Sequence, residues 1–379
     1  MLQREIKAYL TEKGVTIVDP GYDCLPFIKK INPNFEIRSV PPQPGFVPSF
    51  QKIRNLRISG FALEDISRIG TERLWELHDR IIKGDFEPST NPMNPTLLDL
   101  KIELARREIG HCTLTGWGCG VDRFKQPGRC GLMDEAYYNS LYIHVAEEPV
   151  ITPTAVIKLS GCALRCIFCQ AHEAFNIDKG KRLDSGVWKE LEKDPNYGKA
   201  VTLEFVGGNP DESIYSILKV INGAPESFRL PIVWNNHGYG NENVYKLLNK
   251  VVDLYLTDFK YGNDECGLAL SGVRDYWSHA TEGIEQIIGQ DSKAVIRILL
   301  LPGHINCCHR KVMEWLSNYK QRIWVSVIDN YIPDWKALSD SKINRMVSEE
   351  EISEAKELLK KYGLRDVSDC PKDFWETIK

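Results

Sequence analysis

Thr154-Ala155-Val156-Ile157-Lys158-Leu159-Ser160-Gly161-Cys162-Ala163-Leu164-Arg165-Cys166-Ile167-Phe168-Cys169-Gln170 is the stretch whose reading decides the rest. Its first six residues are β-branched or apolar in the way of a buried strand. A short loop follows in which Cys162, Cys166 and Cys169 are spaced C-x3-C-x2-C. Three thiolates on one loop can hold three irons of a [4Fe–4S] cluster and leave the fourth iron without a protein ligand, open to a substrate. Random placement would produce this spacing in roughly 1% of chains with this cysteine content, so chance is a weak explanation. Zinc is a stronger competitor, because His172 follows Cys169 at x2 and could close a Cys3His tetrahedron.

Downstream the pattern becomes regular. Apolar runs at Thr154–Leu159, Val201–Val206, Pro231–Trp234, Val252–Leu256, Ala294–Leu301 and Ile323–Ile328 alternate with segments of helical spacing at Glu212–Ile221, Glu242–Asn249, Tyr276–Ile288 and Arg310–Asn318. Ser348-x-x-Glu351 opens a last helix that ends at Gly363. Alternating strands and helices predict an α/β fold with a parallel sheet and right-handed crossovers. Six repeats are too few for a closed eight-stranded barrel, so the expectation is a partial (β/α)6 TIM-type barrel over residues 151–379. Each run also ends in polar or glycine residues: the cysteine loop, Gly207-Gly208-Asn209-Pro210, Asn235-Asn236-His237-Gly238, Thr257-Asp258-Phe259-Lys260, Pro302-Gly303-His304 and Asp329-Asn330-Tyr331. In such barrels the chemistry sits at the C-terminal ends of the strands. A loop stapled by zinc would not require six such endings.

Upstream, residues 1–95 read as a mostly helical N-terminal extension, with helices expected at Gln3–Lys13 and over 60–83, separated by the proline-rich connector Pro41-Pro42-Gln43-Pro44-Gly45. This extension either shapes a substrate path or covers the open edge of the sheet. Residues 96–150 hold a helix capped by Thr96 and a cysteine- and glycine-rich link with Cys112, Cys119 and Cys130. Three thiols within nineteen residues are a candidate auxiliary site for zinc or a second iron–sulfur cluster, or else a glycine-rich turn whose cysteines merely pack.

Composition is that of a globular chain, with 42% hydrophobic and 26% charged residues among 379. A net charge of −4 without a basic run argues against a nucleic-acid partner, and no apolar run reaches the roughly 20 residues of a membrane span. The first residues are charged, unlike a signal peptide, and 11 cysteines in short spacings point to metal ligation in a reducing cytoplasm.

With these motifs together, the sequence resembles the radical S-adenosylmethionine (SAM) superfamily, and within it the pyruvate formate-lyase activating enzymes, in a sub-branch without a ferredoxin-like insertion. The likeness runs from about Cys112 to the C-terminus and rests on the cysteine loop, Val206-Gly207-Gly208-Asn209-Pro210, Val233-Trp234-Asn235-Asn236, Leu256-Thr257-Asp258-Phe259-Lys260-Tyr261-Gly262, Leu301-Pro302-Gly303-His304 with Cys307-Cys308, and Asp329-Asn330-Tyr331. It implies that Cys162, Cys166 and Cys169 ligate the cluster and that SAM chelates the fourth iron. It further implies SAM contacts from Phe168 beside the adenine, from the backbone of Gly207, Gly208 and Asn209, and from Asn235, Asn236, Asp258, Lys260, Arg297 and Asn330. Asn209 and Asn235 stand where relatives often carry acidic residues, and Thr115 stands where the sub-branch has a fourth link cysteine.

The resemblance implies a ferredoxin or flavodoxin as electron donor and a glycyl-radical enzyme as partner. A small molecule or peptide is the alternative substrate, with Cys307 or Cys308 returning a hydrogen atom. A non-enzymatic iron–sulfur or zinc protein is the third reading. Asp258 and Lys260 fit a surface ion pair equally well as residues, and His237 and His304 fit buried histidines.

Overall fold

The computed structural model describes residues 21–31 and 33–376. The helix expected at Gln3–Lys13 lies outside the described residues. Eight strands form one open sheet: β1 (Tyr137–His144), β2 (Thr154–Leu159), β3 (Lys181–Arg182), β4 (Thr202–Gly207), β5 (Ile232–Asn236), β6 (Leu254–Asp258), β7 (Lys293–Leu299) and β8 (Trp324–Ile328). Their order is β3-β1-β2-β4-β5-β6-β7-β8, and the six from β2 onward pair in parallel. These six are the runs read from the sequence.

The antiparallel β1 and β3 were not expected. β1 covers the edge of β2, with Tyr142 opposite Val156, and β3 adds two pairs beyond it. Edge protection on that side therefore comes from the link, not from the N-terminal extension. The helix expected over 60–83 is two helices, Leu63–Arg68 and Thr71–Lys83, because the chain turns extended at Ile69 and Gly70 (ψ 141° and 148°). Elsewhere the predicted caps form. Thr96 and Asp99 exchange hydrogen bonds at the start of Leu97–Gly110, and Ser348 and Glu351 do so before Glu349–Tyr362, which ends at Gly363 with φ 64°.

Alternation along the strands divides the sheet's residues between two faces. Ile157, Phe205, Trp234, Tyr255 and Ile296 join the core beneath the helices, where Ile217, Leu218, Leu247 and Ile284 meet them. Phe50, Ile53, Leu97 and Leu104 belong to that same core, so the N-terminal extension is packed continuously with the rest. The opposite face carries Val233, Leu254, Leu256 and Val295, sealed by Val367, Phe374 and Trp375 from the C-terminal segment. The Trp375 indole donates to the Val40 and Val150 carbonyls. Lys158, Glu204, Asn235, Asp258 and Arg297 share this second face. Among the described residues, no helix is long and apolar enough to cross a membrane.

One buried polar set ties the extension to the sheet's helices. Lys101 Nζ lies 2.8 Å from His78 Nε2 and donates to the Lys246 carbonyl, while His78 Nδ1 faces Asp79 at 2.8 Å. Burial, then the Lys101 charge, pushes His78 from 6.5 down to about 2. The unfolded chain thus binds a proton below about pH 6.5 that the folded chain refuses until about 2, so stability is full above 6.5 and falls as pH drops through that window. Unfolding free energies from urea titrations between pH 7.5 and 5 should be level above about 6.5 and then fall toward acid by about 1.4 kcal/mol per unit for this group. His78→Gln should flatten that part of the slope.

Candidate metal centre

The cysteine loop leaves the C-terminal end of β2 and is gripped from four sides. At the end of β4, Gly207 (φ 107°) lies against Leu159 of β2, and Gly208 just beyond it presses on the loop: a Cβ on Gly208 would stand 2.0 Å from the Gly161 carbonyl oxygen. Only glycine permits that approach. From the helix Asp264–Ser271, the Ser271 and Leu270 carbonyls accept from the Arg165 and Ile167 amides at 3.1 and 2.9 Å. From the link, Arg129 Nε donates to the Ala163 carbonyl at 2.8 Å, and Arg165 returns a bond to the Arg129 carbonyl at 2.8 Å. Glu212 completes the grip, its carboxylate accepting from the Ala163 amide at 2.6 Å and from the Asn209 amide group.

All three thiols face inward on this loop, Cys162 and Cys166 buried and Cys169 half-buried. Burial drives the Cys162 thiol well above its usual range, and Glu212, Cys166 and Cys169 push it the same way. Burial and Cys166 raise Cys169 to about 12. Ser271 Oγ donates to Cys166 Sγ at 2.9 Å, and Tyr261 OH lies 4.0 Å from that sulfur and bonded to Ser271. Sulfurs in such a place ionise only if a bound cation answers their charge. His172 does not close a tetrahedron with them: its ring lies flat on Trp335, 5.6 Å between centroids at 3°, and its Nδ1 faces the Cys169 carbonyl at 3.3 Å. Three thiols on one loop, with His172 turned away from them, suit a cluster with one free iron.

Around the loop the other predicted residues take distinct places. Phe168 is buried, edge-on to Tyr261 and Tyr331 at 6.4 Å from each. Lys260 Nζ pairs with Asp258 at 2.6 Å. Burial opposes the lysine charge, but Asp258 and the Cys166 and Cys169 sulfurs outweigh it and hold Lys260 protonated. Asn235 donates to Glu204 at 2.7 Å on the polar face of the sheet. Asn236, one residue on, points to the opposite face, where its amide and the Trp234 indole bond to buried Asp211 at 3.1 and 2.7 Å. Arg297 is taken up by Glu147 and by Glu148, whose oxygens accept at 2.7 and 2.5 Å. Asn330 is buried just past β8.

Cys307 and Cys308 lie on a π-helical turn, Ile305–His309, after β7. In the link, Cys119 and Cys130 sulfurs flank Gly128, where a Cβ would meet them at 3.4 and 3.5 Å; burial raises the Cys130 thiol to about 12 against the opposing Arg123 charge, and Glu212 and then Cys112 push it the same way as burial. Those three thiols are therefore neighbours. Sequence reasoning missed Glu212, Tyr261 and Ser271. Glu212 stood in plain view after Gly207-Gly208-Asn209-Pro210, but Ser271 is more than a hundred residues from the sulfur it touches.

Residues 154–268 match the family model described as a 4Fe-4S single cluster domain. The three-cysteine loop lies inside that span, so the site is a candidate centre for a single [4Fe–4S] cluster. More particularly, the chain belongs to the same family as the uncharacterized protein MJ0674 of Methanocaldococcus jannaschii, to which it is 33% identical over 315 residues, 80% of this chain and 91% of that protein. Among solved structures, Streptococcus suis SuiB bound to S-adenosylmethionine is 11% identical, covering 77% of this chain and 58% of that one, with a TM-score of 0.40. HydG, a maturase of the [FeFe]-hydrogenase, is 13% identical over 79% of this chain and 62% of that one, TM-score 0.36.

Gly208→Ala should force the loop away from β4 at a cost of about 1–3 kcal/mol, as overpacking does. Iron content of protein purified without air should fall in this variant, while Gly198→Ala, at a glycine with an ordinary φ whose Cβ would meet nothing within 4 Å, should keep its iron.

Proposed function

We propose that the protein is a radical SAM enzyme that binds a [4Fe–4S] cluster through Cys162, Cys166 and Cys169 and cleaves SAM reductively, the open sheet working as a partial barrel with its polar face toward the reaction. The observation that carries this reading is the gripped loop with three thiols, two buried and one half-buried, from which His172 is turned away. A cluster held by Cys162, Cys166 and Cys169 would, when bound and reduced, supply the one-electron cleavage of SAM and the hydrogen abstraction that follows.

The chain's own residues prepare that event. Ser271 and Tyr261 direct hydroxyls at Cys166, tuning its charge by hydrogen bonding. Lys260, kept protonated beside Asp258 at the loop, offers a cation to the SAM carboxylate, and Asp258 accepts from a ribose hydroxyl. Phe168 presents an apolar surface for the adenine. Glu204 and Asn235 supply the polar wall of the chamber, and Phe374 and Trp375 keep water from entering beneath. A ferredoxin or flavodoxin serves as electron donor. The substrate is a glycine Cα–H on a partner glycyl-radical enzyme, a choice that rests on the sequence resemblance.

Protein reconstituted anaerobically with iron and sulfide, then given dithionite and SAM, should form 5′-deoxyadenosine; none formed with a full iron complement sinks the proposal. Alanine at Cys162, Cys166 or Cys169 should abolish the product. Lys260→Met should weaken SAM binding about tenfold, the worth of one hydrogen bond to a charged group, with iron content unchanged.

A further inference from the structure

Two sets of three metal-type ligand atoms lie within 4.8 Å of one another among the described residues: Cys162 with Glu212 and His237, and Cys266 with His304 and Cys307. The first belongs to the centre described above. Its histidine is also turned the wrong way for a ligand, since Nδ1 accepts from the Tyr239 amide at 3.1 Å and the proton sits on Nε2, 3.5 Å from Glu212.

The second set stands apart and is built differently. Cys266 lies in the helix Asp264–Ser271 after β6, and Cys307 on the π-helical turn after β7; their sulfurs are 3.9 Å apart. Asn263 clamps the two elements together, accepting from the Cys266 amide at 2.8 Å and donating to the Cys307 carbonyl at 2.8 Å. Gly262 allows the turn to approach, since a Cβ there would stand 2.5 Å from the Cys308 carbonyl oxygen. His304 Nδ1 lies 2.7 Å from the Pro302 carbonyl and so carries the proton, which leaves Nε2 basic. A backbone carbonyl holding the far nitrogen is how metal-binding histidines are usually oriented. π-Turns are frequent at functional sites.

Spacing decides the kind of metal. Two thiolates at about 2.3 Å from one tetrahedral zinc stand about 3.8 Å apart, whereas thiolates on separate irons of a cluster stand farther. The observed 3.9 Å fits a single ion. We propose that Cys266, His304 and Cys307 bind one zinc ion, with the fourth position open. Cys266 and Cys307 are half-buried, so that position faces water or a soft ligand such as a substrate thiolate. Cys308, buried and also 3.9 Å from Cys307, does not join the set whose ligand atoms all lie within 4.8 Å of one another, so the assignment leaves it out. The site shares the helix Asp264–Ser271 with the Ser271 that touches Cys166, placing zinc and the cysteine loop on one rigid element. Cys307 is then a ligand and not a hydrogen donor.

Metal analysis of the full chain, purified without air with its iron, tests this. The expected result is about one zinc per chain, falling at least about tenfold in Cys266→Ser and in Cys307→Ser with iron unchanged. Cys308→Ser and Cys24→Ser should keep their zinc; its loss from Cys308→Ser would overturn the three-ligand assignment. Cobalt added after chelation of the wild-type protein should give thiolate-to-cobalt absorption of a tetrahedral site, absent in Cys307→Ser. That measurement on the unaltered chain guards against a variant that fails to fold. Zinc unaffected by either substitution, no cobalt signal, or a Cys266–Cys307 disulfide found by alkylation and mass spectrometry in the air-free protein would overturn the proposal.

Discussion

A thiol buried beside other thiols cannot ionise unless something positive meets it. At the mouth of β2 three such thiols are packed on one loop, and burial together with mutual repulsion keeps Cys162 and Cys169 protonated in the bare chain. Everything around the loop is arranged so that it cannot relieve this by opening: β4 presses in through Gly208, a helix and an arginine hold the backbone, and Glu212 ties the Ala163 amide. Iron–sulfur binding would relieve the strain of four neighbours holding sulfurs in a place unfit for their charge.

The same economy runs through the polar face of the sheet. Arg297 is matched by Glu147 and Glu148, Lys260 by Asp258, and Asn235 by Glu204, so buried charges and amides have partners before any ligand arrives. A ligand binding there would exchange partners already in place and need not create charge in apolar surroundings. Glu212 shows how such matching works. Burial opposes its ionisation, yet His237, Asn209 and the Ala163 amide together hold its carboxyl below the usual range.

Much of this was legible in the chain. The six parallel strands announce themselves because both their faces are covered, so each reads as a nearly continuous apolar run. β1 escaped notice for the opposite reason. Tyr137–His144 mixes Asn139, Ser140 and tyrosines, and most of its residues are only half-buried, as suits a strand that only the two-residue β3 covers on its outer side. The break at Gly70 was hidden by apolar spacing that continues in phase across both helices. Asn235 and Asn236 looked equivalent, but strand alternation sends them to opposite faces, and only Asn235 meets Glu204.

From the linear order alone came whatever depends on near neighbours: the three-cysteine loop, the caps at Thr96 and Ser348, and the alternation of strand and helix. These are legible because spacing over a few residues dictates local geometry. Tertiary structure alone decided which distant groups meet. Ser271 against Cys166, Glu212 against the loop amide, and Cys266 against Cys307 and His304 span tens to more than a hundred residues. Such contacts arise when parallel strands bring their C-terminal ends to one rim, and no short-range pattern encodes which residues that rim will gather.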